Sequence, residues 1–142
     1  MREFRCDDEL VKILAKFGFK DFTPKADTDR GKRTFRKSKG SERFIKFDYI
    51  NFIFWSGLGA GDTIHNTAVT ETELKSIFWY MGCATADKYF ITGDVFSVKS
   101  CQETYRQLKR EYDFYTIEYP KPGKNLKRVK RLLNSYDNIS LD

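Results

Sequence analysis

TFRKSKGSERFIKFDYINFIFW, Thr34 to Trp55, is the stretch on which the fold turns. Thr34 to Ser38 and Arg43 to Tyr49 read as two strands. The Lys39-Gly40-Ser41 turn between them predicts a hairpin. Ile50 to Trp55 is almost entirely apolar and rich in aromatic and β-branched residues. It reads as a buried strand, or as the inner part of one long bent strand.

Upstream, Asp7 to Phe17 reads as a helix. Asp7 is placed to cap it, Asp8 and Glu9 suit the positive end of its dipole, and Leu10, Leu14 and Phe17 share a face. Gly18 stops it. Residues 20–32, polar and containing Pro24 and Gly31, read as a loop.

Downstream, Gly57-Leu58-Gly59-Ala60-Gly61-Asp62 interrupts the strand signal. Thr70 to Gly82 carries a capping box (Thr70 with Glu73) and a stripe of Leu74, Ile77, Phe78 and Met81. Tyr89 to Thr92 and Val95 to Lys99 read as short strands about a Gly93-Asp94 turn. Ser100 and Glu103 form a second capping box, opening a helix to about Asp113 with Cys101, Tyr105, Leu108 and Tyr112 on its stripe. Tyr115 to Tyr119 alternates like a strand, and a last helix runs from Lys124 to about Ser135. Hairpins mixed with helices predict an α+β fold: one compact domain over residues 1–142, a mostly antiparallel sheet and about four helices. At 142 residues, 40% hydrophobic and 16% aromatic, the chain has material for a core without disulfides or metals.

The acidic N-terminal segment lacks the apolar region of a secretory leader, and the greasiest run, Tyr49 to Leu58, is about half the length of a membrane span. A cytoplasmic protein without membrane attachment is expected. Cys6, Cys83 and Cys101 are odd in number and widely spaced, with no Cys-x-x-Cys pair. They read as reduced thiols dispensable for function, with Cys83 and Cys101 serving packing.

Motifs for chemistry are sparse. The glycine loop follows a strand, as phosphate-cradling loops do, but lacks both G-x-G-x-x-G and G-K-[ST] spacing. An ordinary strand-to-helix loop accounts for it. His65, the sole histidine, has no nucleophile motif around it and cannot build the usual zinc sites alone. Asp48, Asp62 and Asp94 sit at or beside strand ends, and Asp94 with Lys99 is the nearest approach to a metal-dependent nuclease pattern. A turn role explains Asp94 equally well. An enzyme would need these acids and His65 to converge in a cleft; no cofactor or metal is expected.

Arg43 to Phe47 is similar to the last part of an RNA-recognition strand, where exposed aromatics stack on bases. Only Phe44 to Phe47 matches, the preceding glycine-aromatic half is missing, and the element order differs from that fold. Alternation sets Phe44 with Lys46 on one face and Ile45 with Phe47 on the other. Both aromatics are expected in the core.

The charge map departs most from an ordinary small domain. Residues 30–46 hold Arg30, Lys32, Arg33, Arg36, Lys37, Lys39, Arg43 and Lys46 against Glu42, net +7. Residues 121–131 hold Lys121, Lys124, Lys127, Arg128, Lys130 and Arg131 without an acid, net +6. The whole chain is +6, so the remainder carries −7. Clustered cations focus potential on a polyanion. On the last helix Leu126, Val129, Leu133 and Tyr136 form the apolar face, with Lys124, Lys127, Arg128 and Arg131 on the opposite arc.

The sequence therefore predicts a small non-enzymatic domain gripping the phosphate backbone of RNA or DNA through Arg33, Arg36, Lys37, Lys39, Arg43 and Lys46 together with Lys124, Lys127, Arg128, Lys130 and Arg131. The two segments are expected to form one surface. The alternative is a protein-interaction module, an accessory, assembly or inhibitor protein of viral or mobile-element type, whose basic surfaces meet an acidic or nucleoprotein partner.

Overall fold

The stretch from Thr34 to Trp55 forms three strands, the separate-strand reading of its apolar run. A computed structural model of the chain describes residues 2–41, 43–48, 52–55, 61–64, 68–83, 98–118 and 123–142. Its elements are β1 (Glu3–Arg5), α1 (Asp8–Lys16), β2 (Lys20–Asp21), α2 (Lys25–Thr28), β3 (Arg33–Arg36), β4 (Phe44–Phe47), β5 (Phe52–Trp55), β6 (Gly61–Ile64), β7 (Ala68–Thr70), α3 (Glu71–Cys83), α4 (Val98–Glu118) and α5 (Lys124–Asp137). This is an α+β fold with antiparallel sheets. The chain divides into two units, Met1–Leu74 with Leu141–Asp142, and Lys75–Ser140.

In the first unit β2, β3, β4, β5 and β6 pair in sequence order, each antiparallel to the next. Phe47 pairs with Phe52, so β4 and β5 are separate strands and the apolar run does not continue as one bent strand. The pleat sends alternate residues to opposite faces. Phe35, Ile45, Phe47 and Phe52 are buried on one face, with the Phe35 and Phe47 rings stacked at 5.4 Å. Phe44 lies on the other, half-exposed, so only Phe47 of the two aromatics enters the core. A second sheet pairs β1 with β7 and buries Phe4 and Val69.

Helix α1 begins at its expected cap: the Asp7 carboxylate accepts a hydrogen bond from the Glu9 amide at 2.9 Å. It ends where Gly18 takes φ +84°, a region open to glycine without a Cβ penalty. The Gly18 amide donates to the Ala15 carbonyl and the Phe19 amide to that of Leu14. These bonds satisfy carbonyls the last turn would otherwise leave unpaired, and Phe19 and Leu14 are both buried beside them.

Two sequence expectations change in this unit. Residues 20–32 are not a plain loop. Lys20–Asp21 adds an edge strand to β3, and Pro24 opens the single turn α2, its carbonyl accepting from the Asp27 and Thr28 amides. Proline's fixed φ suits a helix entrance, where no amide is needed. Gly61 and Asp62 are not loop but the start of β6, Gly61 pairing with Trp55. The glycine segment therefore connects two strands of a hairpin and does not lead to a helix. The first residues of that segment, with His65 and Asp94, lie outside the described residues, as does the Tyr89 to Thr92 strand.

In the second unit, the rest of α3 meets α4 and α5. The capping box at the start of α3 is formed as expected: the Glu73 amide donates to Thr70 Oγ1 at 3.2 Å, and the Thr70 amide to Glu73 Oε1 at 3.0 Å. Trp79, 1% exposed, lies edge-on to the Tyr105 and Tyr136 rings, and its indole N–H faces the Leu132 carbonyl and Ser135 Oγ of α5. Tyr105 donates from its hydroxyl to Asp137 Oδ1 at 2.8 Å, tying α4 to the end of α5. Burial, and then that hydrogen bond and the Asp137 charge, push the phenol up to about 12, so it stays a donor at physiological pH.

Helix α4 corrects three further expectations. It starts at Val98, so Ser100 lies inside the helix instead of capping it, and Lys99 is helical rather than on a strand. It also runs to Glu118, which absorbs the expected strand at Tyr115. Extending an existing helix adds one hydrogen bond per residue fixed, without a new nucleus, and five residues of alternation cannot compete. The Thr116 hydroxyl donates to the Tyr112 carbonyl one turn back, at 2.7 Å.

Candidate nucleic-acid interface

The same pleat that buries four apolar side chains divides the basic hairpin between two faces. Register places Lys20, Arg36 and Phe44 in one cross-strand row, and Thr34, Lys46 and Ile53 in the next. Thr34 is closed over because its carbonyl accepts from the Phe22 amide and its own amide donates to Thr23 Oγ1, at 2.9 and 2.8 Å. These bonds fold the segment Phe22–Asp27 against the edge of this face. Between that segment and the strands lies an open cleft of about 600 Å³. Phe22, Pro24 and Asp27 line one side; Thr34, Arg36, Phe44, Lys46 and Ile53 line the sheet, and Lys39 reaches it from the turn.

The cleft holds three cations and one carboxylate. Arg36 is fixed: its Nη1 donates to the Ser41 carbonyl at 2.7 Å and its guanidinium lies 5.0 Å from the Phe44 ring centre. Lys39 is exposed and Lys46 half-exposed. No ion pair joins Asp27 to these cations among the described residues.

The other hairpin cations stand elsewhere. Arg33 is on the core side of the sheet, bonded to Asp21 Oδ2 at 2.9 Å and to Asp8 Oδ1 at 3.5 Å, with two carboxylates offsetting its charge. Lys37 lies over the Phe19 ring at 5.4 Å. Arg43 is half-buried just ahead of β4, its amide donating to Ser41 Oγ. Of the six hairpin residues predicted to contact nucleic acid, Arg36, Lys39 and Lys46 therefore share one cleft, and Arg33, Lys37 and Arg43 do not line it. Phe22 and Phe44 line the cleft as well, and the alternation that sets Phe44 with Lys46 on one strand face is the sequence signal for the second.

The other basic segment is on α5. Val129, Leu132 and Leu133 are buried, while Lys124, Lys127, Lys130 and Arg131 are exposed and Arg128 is half-buried. The helix has no acid before Asp137, so one side is continuously cationic. The two basic segments fall in different units.

Both described cysteines have thiols pushed above their ordinary value. Burial raises the Cys101 thiol far above its ordinary value, and its Sγ faces the Ser76 carbonyl. Burial, with the charges of Asp7 and Asp48, pushes Cys6 up to about 11. Among the described residues no group of three His, Cys, Asp or Glu side chains is placed to hold a metal ion, and no helix is long and apolar enough to cross a membrane. No protein-family model, curated protein or solved structure matches the chain.

Proposed function

We propose that this protein is a small non-enzymatic nucleic-acid-binding protein that grips the phosphate backbone through the sheet-face cations and the basic side of α5. The observation that carries the reading is the cleft: Arg36, Lys39 and Lys46 converge beside a half-exposed phenylalanine on the face of the sheet turned away from the core. Cations placed together repel one another, and a phosphate chain offsets that repulsion while releasing its condensed counterions. The α5 cations add to the same term. Backbone contacts carry no sequence information, so affinity should vary little with base sequence. A mobility-shift titration of a labelled oligonucleotide at two salt concentrations tests this. Affinity falling steeply with salt supports it; binding indifferent to salt, or absent below physiological ionic strength, overturns it.

A second reading, a protein-interaction module, draws on α4, where Phe114 and Ile117 are 51% and 74% exposed. A partner retained by the protein after nuclease treatment, together with a failed oligonucleotide titration, would favour it.

A further inference from the structure

We propose that the sheet-face cleft receives an unpaired nucleotide, its base against Phe44 and Phe22 and its phosphates on Lys39 and Lys46, so that single strands bind in preference to duplexes. This deepens the nucleic-acid reading and rests on it.

Four features argue for a base in addition to a phosphate. A backbone-gripping surface needs only cations, yet two phenylalanines line this cleft, Phe22 being 36% exposed and Phe44 half-exposed. Aromatic rings stack on any base, because every base has a π-face. The Arg36 guanidinium, held by Ser41 and Phe44, is a second planar surface already ordered, so little side-chain freedom is lost when a base lies on it. The volume of about 600 Å³ falls within the ~300–1,000 Å³ of small-molecule sites, room for one nucleotide. Finally, Asp27 stands among the cations. A carboxylate repels phosphate but accepts hydrogen bonds from the amino edge of a base. It marks the loop side of the cleft as the place for a base and leaves the phosphates to Lys39 and Lys46. In a duplex the base faces are covered by their neighbours, so the aromatic contribution is available to single strands alone.

The test uses the full chain and a 12-nucleotide DNA strand carrying 2-aminopurine, alone and annealed to its complement. Fluorescence anisotropy reads affinity, and quenching of the 2-aminopurine reads stacking. The single strand should bind at least about fivefold more tightly than the duplex, the lower end of one stacked base, and its 2-aminopurine signal should fall on binding. Phe44→Leu keeps an apolar side chain but removes the ring. It should abolish both the preference and the quenching. Phe22→Leu provides the same comparison should Phe44→Leu fail to fold by circular dichroism. Equal affinity for both forms in the unmodified protein, or a preference that survives in the folded variants, overturns the inference while salt-dependent duplex binding upholds the nucleic-acid reading. Failure of both forms to bind overturns the two together.

Discussion

Replacing Trp79 by Phe should lower stability by about 2–3 kcal/mol, because the indole both fills the space between α3, α4 and α5 and closes a hydrogen bond across it. The side chain is 1% exposed, and its N–H lies 3.1 Å from the Leu132 carbonyl and 3.0 Å from Ser135 Oγ. Losing one such buried bond costs about 1 kcal/mol. The smaller ring buries less apolar surface and leaves a partial void, roughly another 1–2 kcal/mol. No acceptor is stranded, because the Ser135 hydroxyl already donates to the Leu132 carbonyl at 2.7 Å, which holds the cost near the lower end. Trp79→Ala also removes the edge-on contacts to Tyr105 and Tyr136 and should cost about 3–5 kcal/mol. Urea unfolding followed by far-ultraviolet circular dichroism reads both. With a slope of about 2 kcal/mol/M, Trp79→Phe should move the midpoint down by about 1 M. A shift below about 0.2 M, or equal shifts for Phe and Ala, would refute the role given to the indole.

Thr70→Ala removes one half of the capping box at α3 and should cost about 1 kcal/mol, seen as a lower melting temperature; no change would mean that the cap is redundant. Burial pushes the Asp21 carboxyl up, but hydrogen bonds from Thr23 and Arg33 and the Arg33 charge outweigh it and hold the group below its ordinary value of 3.8. Its stabilising contribution is therefore complete above the unfolded value and is lost as pH falls below about 4. Asp21→Asn should flatten that part of the acid unfolding curve, and an unchanged curve would contradict the assignment. Cys101→Ser should lower stability by about 1–2 kcal/mol through a buried hydroxyl while leaving oligonucleotide affinity unchanged. In the native protein at pH 8, Cys6 and Cys101 should react with a thiol reagent more slowly than in the unfolded chain; equal rates would contradict the upward shift of both thiols.

Local signals in the sequence agree with the structure where chemistry acts within a few residues. Asp7 caps α1, Thr70 and Glu73 cap α3, and the Lys39-Gly40-Ser41 turn joins β3 to β4, because each depends on side chains meeting their own backbone. Signals failed where a neighbouring element decided the outcome. The alternation from Tyr115 was overridden by a helix already in progress, and Gly61 became a strand residue because β5 offered it a partner. For the candidate site, the basic hairpin was legible as a charge count, but a count has no faces. Pairing of β3 with β4 sends Arg36 and Lys46 one way and Arg33 the other, where Asp8 and Asp21 meet it. The cleft itself could not be seen in the sequence, since it depends on Phe22, Pro24 and Asp27 folding back over Thr34, a contact set by the short edge strand in a segment that read as loop.

Cations of the sheet cleft and of α5 that hold a phosphate backbone should make single-strand binding weaken steeply as salt rises. Log affinity should be measured against log salt concentration for the unmodified protein, for Lys39→Gln with Lys46→Gln, and for Lys127→Glu with Arg131→Glu. Each phosphate contact on a single strand contributes about 0.7 to the slope, so the cleft pair should flatten it by about 1.4 and the α5 pair by at least as much, with similar losses on unrelated base sequences. Slopes and affinities equal to those of the unmodified protein in both variants would contradict the claim.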